Sequence, residues 1–299
     1  MARDVFKEIS DRIAAQLENG VRPWSRPWKS EGAGYNFELP HNAATKKPYR
    51  GANVWFLIMI QQSRGYPTAQ WLTFKGAQAL GGNVMKGESA TPVFFWKMGT
   101  RKDAATGEDV KTFMLRQYFV FNVAQCENLK LPERKEVVRT EAERNAAADA
   151  MIEATGAQIK FGGDRAYYSP TYDYVALPHR DQFHDADGYY GTAFHELGHW
   201  TGHEKRLNRE FGKKFGDDAY AFEELVAELT AAYICGANGF ASTDRDDHAA
   251  YIGSWLKRIK EDPKAFITAA SKAQNAAELI MGKTAAQESE ETDEVSEVA

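Results

Sequence analysis

His195-Glu196-Leu197-Gly198-His199 is the stretch from which the rest of the chain can be read. On an α-helix, residues four apart stand one above the other, so the two imidazoles point to a common spot and can share a divalent cation. Glu196 sits about 100° further round, close enough to touch a water at that spot. Two ligands and a general base then share one turn, the layout of zinc hydrolases. The pattern alone is moderately specific, and its surroundings add weight. A helix over 188–201 puts Tyr190, Phe194, Leu197 and Thr201 on one face and the histidines on the other. Gly191, Gly198 and Gly202 flank the histidine side, although each glycine weakens a helix by up to about 1 kcal/mol relative to alanine. Their placement predicts the close approach of another backbone.

The third ligand must come from elsewhere. Lys205 stands where a metzincin has its third histidine, and it cannot serve. His203 lies one turn past His199, roughly 12 Å from His195 on a continuous helix, and reads as a capping or surface residue. A carboxylate fits better. Residues 217–235 (DDAYAFEELVAELTAAYIC) form a helix with Phe222, Leu225, Val226, Leu229 and Tyr233 as its apolar stripe. Glu224, Ala227, Glu228 and Ala231 face the other way, so this side can lie flush against the glycine-flanked histidine helix. That is the E-x-x-x-[DE] arrangement of gluzincins. It assigns Glu224 to the metal and Glu228 to orienting a ligand histidine, with Glu223 as the weaker candidate. Zn2+ is the default ion, and two histidines with a carboxylate also admit Mn2+ or Co2+. His203, Arg206 and Tyr220 are candidates for stabilising an oxyanion. Upstream, residues 166–178 read as a hairpin around Ser169-Pro170, with 174–177 as an edge strand placed to pair with extended peptide.

At 299 residues two domains are expected. The fold class read from the pattern is α+β. Residues 1–131 form a domain with an antiparallel sheet, and 136–282 a mainly helical, gluzincin-type domain with a small sheet. Residues 283–299, acidic and without aromatics, form a disordered tail. Strands are expected at 93–98 and 114–123, joined by a polar loop over 99–109, and helices at 52–63, from a capping box at Thr140-x-x-Glu143, at 245–260 and at 263–281. No run is long and apolar enough to span a membrane, and residues 1–20 read as an amphipathic helix instead of a signal peptide. Cys126 and Cys235 are far apart, which excludes a disulfide framework and suits a reducing cytosol.

Charge is unevenly spread. Residues 1–135 carry 20 Lys and Arg against 12 Asp and Glu, a net of +8, whereas 136–299 carry 17 against 30, a net of −13. The basic half also holds five of the seven tryptophans. Single-strand binding needs cations along the phosphates and flat rings for the bases. Trp24, Trp28, Tyr49, Trp71 and Trp96, interleaved with Lys46, Lys47, Arg50, Lys75, Lys86 and Lys97, are the candidate DNA contacts. No helix-turn-helix stands out, which favours single strands over duplex.

The ordered segments YRGANVWFL, WLTFKGAQALGGNVMKGE, FNVAQCENL, TAFHELGHWTGHEKRLNR and EELVAELTAAYIC resemble the ArdC antirestriction proteins of conjugative plasmids, across roughly residues 5–282. The N-terminal half is also similar to that of TraC-type plasmid primases. The resemblance implies an N-terminal single-stranded-DNA-binding domain and a C-terminal zincin-like metallopeptidase domain. It implies protection of incoming plasmid DNA from host restriction, with His195, His199 and Glu224 as metal ligands and Glu196 as the base. A host restriction component is a candidate protein partner. Two alternatives stay open: a non-catalytic DNA-binding module with a structural metal site, and an IrrE-like metallopeptidase that cleaves a regulator.

Overall fold

The structure, a computed structural model, describes residues 5–22, 24, 38–102, 107, 109–132, 139–212, 218–240 and 249–282. In chain order the elements begin with α1 (Val5–Glu18), β1 (His41–Asn42), α2 (Ala52–Arg64), β2 (Gln70–Thr73) and α3 (Phe74–Ala79). Then come β3 (Asn83–Val84), β4 (Thr91–Lys102), β5 (Asp109–Asn122), β6 (Cys126–Glu127), α4 (Glu141–Ala154), β7 (Gln158–Phe161), β8 (Tyr167–Ser169) and β9 (Tyr174–Leu177). Four helices close the chain: α5 (Ala186–Thr201), α6 (Asp218–Asn238), α7 (Ala249–Glu261) and α8 (Ala265–Ile280). The α+β class holds. Among the described residues, no helix is long and apolar enough to cross a membrane. The acidic tail lies outside the described residues.

The chain packs into two units. One comprises residues up to Leu39, Arg50–Ile58 and the part from Lys135 to Glu288, and the other Pro40–Tyr49 and Met59–Arg134. This division differs from a boundary at 131–136. The apolar stripe of α1 (Ile9, Ile13, Leu17) is fully buried and packs along α7, where Ser10 Oγ donates to the Pro263 carbonyl at 2.6 Å and Lys260 pairs with Glu18. An amphipathic stripe announces that a helix needs a partner, not which partner it finds.

In the second unit a four-stranded sheet has the order β1-β2-β5-β4, with β1 and β2 parallel and the other pairs antiparallel. The β4–β5 hairpin runs from Thr91↔Val120 to Lys102↔Asp109, so that residues 99–102 and 109 of the segment expected to be a loop are strand. Thr73 ends β2 and caps α3, its hydroxyl accepting from Gly76 N. Ala43, Leu72 and Ala77 form a buried cluster with Val84, Val123, Cys126 and Leu129 packed against it.

In the first unit the capping box at Thr140 and Glu143 starts α4. A three-stranded sheet follows in the order β7-β9-β8. β9 is therefore central, not the edge strand expected at 174–177; β7 and β8 flank it. β7, only four residues long, went unread because its pairing with β9 is non-local. Helix α6 is buried almost all round from Glu223 to Gly236, with α5 on one side and α8 and α7 on others.

Candidate metal centre

Two rods build the site, and a missing side chain sets their spacing. A Cβ on Gly198 would stand 3.1 Å from the Ala227 Cα and 3.4 Å from its Cβ, so the glycine of α5 and the alanine of α6 allow backbone approach. This is the contact that the flanking glycines and alanines predicted. It brings Glu224 to the two histidines. His195 Nε2 lies 3.2 Å from His199 Nε2 and 3.5 Å from Glu224 Oε2, and His199 Nε2 lies 3.4 Å from Glu224 Oε1. All three residues are buried, and their donor atoms lie within 4.8 Å of one another. Ligands about 2.05 Å from a tetrahedral Zn2+ stand about 3.3 Å apart. The spacing found here thus fits a divalent cation.

Electrostatics agree. Burial opposes a charged imidazole at His199, yet its hydrogen bonds to Glu223 and Glu224 outweigh it and hold its pKa up at about 10. Burial would raise Glu224, but His195 and His199 hold it far below the usual carboxylate range. The cluster is built to contain positive charge.

Each histidine has its own second carboxylate. His195 Nδ1 lies 3.6 Å from Glu228 Oε2, the orienting position expected for Glu228. The other was underrated. Glu223 turns toward His199 Nδ1, 3.4 Å away, and is gripped by Arg209 through Nε at 2.9 Å and Nη2 at 2.6 Å. Burial raises the Glu223 pKa, but Arg209 and His199 outweigh it and the net shift is downward. Arg209 also donates to the Gly198 carbonyl at 2.7 Å and to Thr201 Oγ1 at 2.8 Å, tying the end of α5 to the loop after it. That loop folds back because Gly202 lacks a Cβ, which would meet Phe211 Cζ at 2.7 Å. No spacing rule points to Arg209, since its partners come from a helix end and a second helix.

Glu196, 3% exposed, lines a cleft of about 220 Å³ with the metal cluster, Tyr167, Tyr168, Phe211, Tyr220 and Tyr251. Of the three oxyanion candidates, Tyr220 lines this cleft. Arg206 is occupied elsewhere: its guanidinium lies 3.8 Å from the Trp200 ring centroid, donates to the Trp200 carbonyl and pairs with Asp173. His203 Nδ1 accepts from Lys205 N, a local turn contact.

The proposed DNA contacts fare differently. Trp24, Tyr49 and Trp71 are 2%, 6% and 0% exposed, so none offers a ring to a base. Trp24 packs on Trp255 and Phe266 and donates from Nε1 to Glu228 Oε1 at 3.1 Å. Tyr49 packs on Phe95, and Trp71 meets Tyr66 edge-on. Arg50 is ion-paired with Glu278 at 2.7 Å. These four were corrected by packing: a large ring contributes most when buried, and composition does not separate core from rim. Lys75 and Lys86 are exposed, and Lys46 and Lys47 are half-buried in the turn after β1. Trp28 lies outside the described residues. Trp96 and Lys97 lie in β4, their side chains also outside that description.

A His-Glu-x-x-His helix joined by a glutamate from a second helix, beside a small three-stranded sheet, defines a zincin-like metallopeptidase fold. Residues 146–272 match the family model of the zincin-like metallopeptidases, and residues 3–121 match that of the N-terminal domain of the anti-restriction factor ArdC. The chain belongs to the ArdC antirestriction protein family. The crystal structure of the antirestriction ArdC protein from plasmid R388, metal-free, is 37% identical with a TM-score of 0.77, covering 93% of this chain and 97% of that one. Its Mn(II)-bound form has a TM-score of 0.76 over 94% and 98%. An uncharacterised Sinorhizobium fredii protein, y4eC, is 38% identical over 93% of this chain and 91% of its own length. The Escherichia coli DNA primase TraC is 38% identical over 96% of this chain, which spans only 28% of that primase. The Mn(II)-bound relative and the zincin-like match indicate a divalent metal in this fold.

Proposed function

We propose that this protein is an antirestriction factor that binds single-stranded DNA, carries a zinc-dependent peptidase centre, and protects incoming plasmid DNA from host restriction during conjugation. The observation that carries the catalytic part is the convergence of His195, His199 and Glu224 on one point, with Glu196 in the same cleft. Held by these three residues, a divalent cation supplies Lewis acidity toward a carbonyl oxygen and a water. Zn2+ suits the donor set, and Mn2+ and Co2+ are accepted by the same atoms. Glu196 takes the proton from the attacking water and returns it to the departing amine, so the carboxylate is restored at the end of the cycle. Glu223 and Glu228 fix the two imidazole rings. Tyr220 is placed to donate to the oxygen on which charge develops. The free edge of β8, whose Tyr167 and Tyr168 line the cleft, suits an extended polypeptide, with a host restriction component as its source. The DNA-binding part rests on the basic N-terminal half and its likeness to a segment of a DNA primase.

The test uses the full chain loaded with Zn2+ and, as substrates, denatured casein and purified restriction subunits. Cleavage by the wild type, lowered at least about 100-fold in Glu196→Gln while calorimetric metal affinity and oligonucleotide binding stay unchanged, supports the reading. Absence of any cleavage by the metal-loaded wild type removes the peptidase and leaves a binding protein with a metal-stabilised fold.

A further inference from the structure

Two large rings stand in water on the second unit. Phe119 on β5 is 53% exposed, and Phe74, the first residue of α3, is 51% exposed. The pairing of β2 with β5 ends at Thr73↔Val120, one step before Phe119 on β5, and the chain turns at Thr73 into α3, which Phe74 opens. On the other flank Phe119 pairs with Pro92 of β4. Side chains alternate along a strand, so Gln117, Phe119 and Phe121 share a face. Phe121 pairs with Leu72, which is sealed in the cluster with Ala77 of α3, Val84 and Cys126. The covering layer stops there: Phe121 and Pro92 are half-buried, and Phe119 and Gln117 stand beyond it.

Charge decides the occupant. Residues 40–49 and 59–134 carry twelve Lys and Arg against six Asp and Glu, a net of +6 in a chain whose total is −5. Lys75, beside Phe74, and Lys86 are exposed. Flat rings in a basic surround suit unpaired bases, because any base can stack and the cations follow the phosphates. An apolar protein partner accounts for the rings and leaves the charge without a role.

We infer that the surface formed by the exposed Phe119 of β5 and by Phe74 and Lys75 at the start of α3 is where single-stranded DNA stacks its bases. This rests on the DNA-binding reading above and moves the contact from the buried Trp24, Tyr49 and Trp71 to rings that no sequence pattern singled out. The probe is a fluorescently labelled oligothymidylate, read by anisotropy with the full chain. Phe119→Ala and Phe74→Ala each weaken binding between about fivefold and a hundredfold. Phe119→Trp restores it, and Lys75→Gln reduces the slope of log affinity against log salt by about 0.7. Thermal unfolding checks that the variants fold. If the wild type binds and Phe119→Ala binds equally well, this location is wrong while the DNA reading survives. If the wild type does not bind, the DNA reading itself falls. If Phe119→Ala changes the sedimentation state and leaves affinity unaltered, the face is a contact between protein copies.

Discussion

Arg209 grips Glu223 with two nitrogens, Nε 2.9 Å from Oε2 and Nη2 2.6 Å from Oε1, and neither side chain is more than 4% exposed. The same carboxylate lies 3.4 Å from His199 Nδ1. A guanidinium fork fixes the plane of a carboxylate, and the carboxylate fixes the imidazole tautomer that leaves Nε2 for the cation. Glu228, further along α6, faces His195 Nδ1 at the longer distance of 3.6 Å. Glu224 thus stands on α6 between two acids that face the outer nitrogens of the two imidazoles it converges with.

Replacing Glu223 with Gln keeps the volume and removes the charge. Affinity for Zn2+, measured by calorimetry on the apo-protein, should fall about 10- to 100-fold, the usual range for losing a carboxylate behind a ligand histidine. Arg209→Lys keeps a charge and loses the fork, so a smaller drop is expected. Unchanged affinity in Glu223→Gln would show that the ring is held by the helix alone.

Gly198→Ala sets two effects against each other. Alanine gains up to about 1 kcal/mol in helix propensity, whereas its Cβ would press on Ala227 at 3.1 Å, and overpacking costs about 1–3 kcal/mol. Both partners are helix backbone, which yields little, so overpacking should win. A Tm lowered by a few degrees and weaker Zn2+ binding are expected together, because widening the gap withdraws Glu224 from both histidines. A rise in Tm with intact metal affinity would mean the helices have room to part.

What the sequence revealed and what it hid follow from the range of each signal. The histidine pair and the Glu224–Glu228 pair are local, one helical turn each, and the glycines opposite alanines announced their approach. Strand order is not local: the hairpin at 166–178 was readable, but that β7 pairs outside β9 depends on a four-residue segment, Gln158–Phe161, that is too short to declare its partner. Arg209 sits in an irregular loop and meets its partners only in three dimensions. Trp24 and Trp71 misled because a tryptophan flanked by basic residues reads alike whether its ring faces solvent or core.

Asp173 closes the turn between β8 and β9 and clamps it to the end of α5. It pairs with Arg206, accepts from the Tyr168 hydroxyl at 2.9 Å, and lies near His203. Hydrogen bonding from Arg206, against some desolvation, holds its pKa at about 2. A pKa below the unfolded value of about 3.9 contributes stability that is complete above that pH and is lost as pH falls through about 2. Because the side chain is one-quarter exposed, the contribution is about 1–2 kcal/mol after solvent screening. Denaturant unfolding of wild type and Asp173→Asn should differ by that amount at pH 6 and converge toward pH 2.5. A constant gap across this range would assign the loss to packing instead of charge.

Trp24 separates the two accounts of the aromatic residues most sharply. Its indole N–H donates to Glu228 Oε1 at 3.1 Å, and Glu228 Oε2 faces His195 Nδ1 at 3.6 Å. Trp24→Phe keeps a ring against Trp255 and Phe266 while removing the donor. Loss of one hydrogen bond to a buried carboxylate costs about 1–3 kcal/mol. Arg22, whose Nη1 lies 3.8 Å from the same oxygen, holds the carboxylate partly in place, so the low end applies and Zn2+ affinity should fall roughly fivefold. Oligothymidylate binding should be unchanged, because a ring 2% exposed cannot meet a base. The reverse outcome, intact metal binding with weakened DNA binding, would return Trp24 to the nucleic-acid surface and undo its place behind His195.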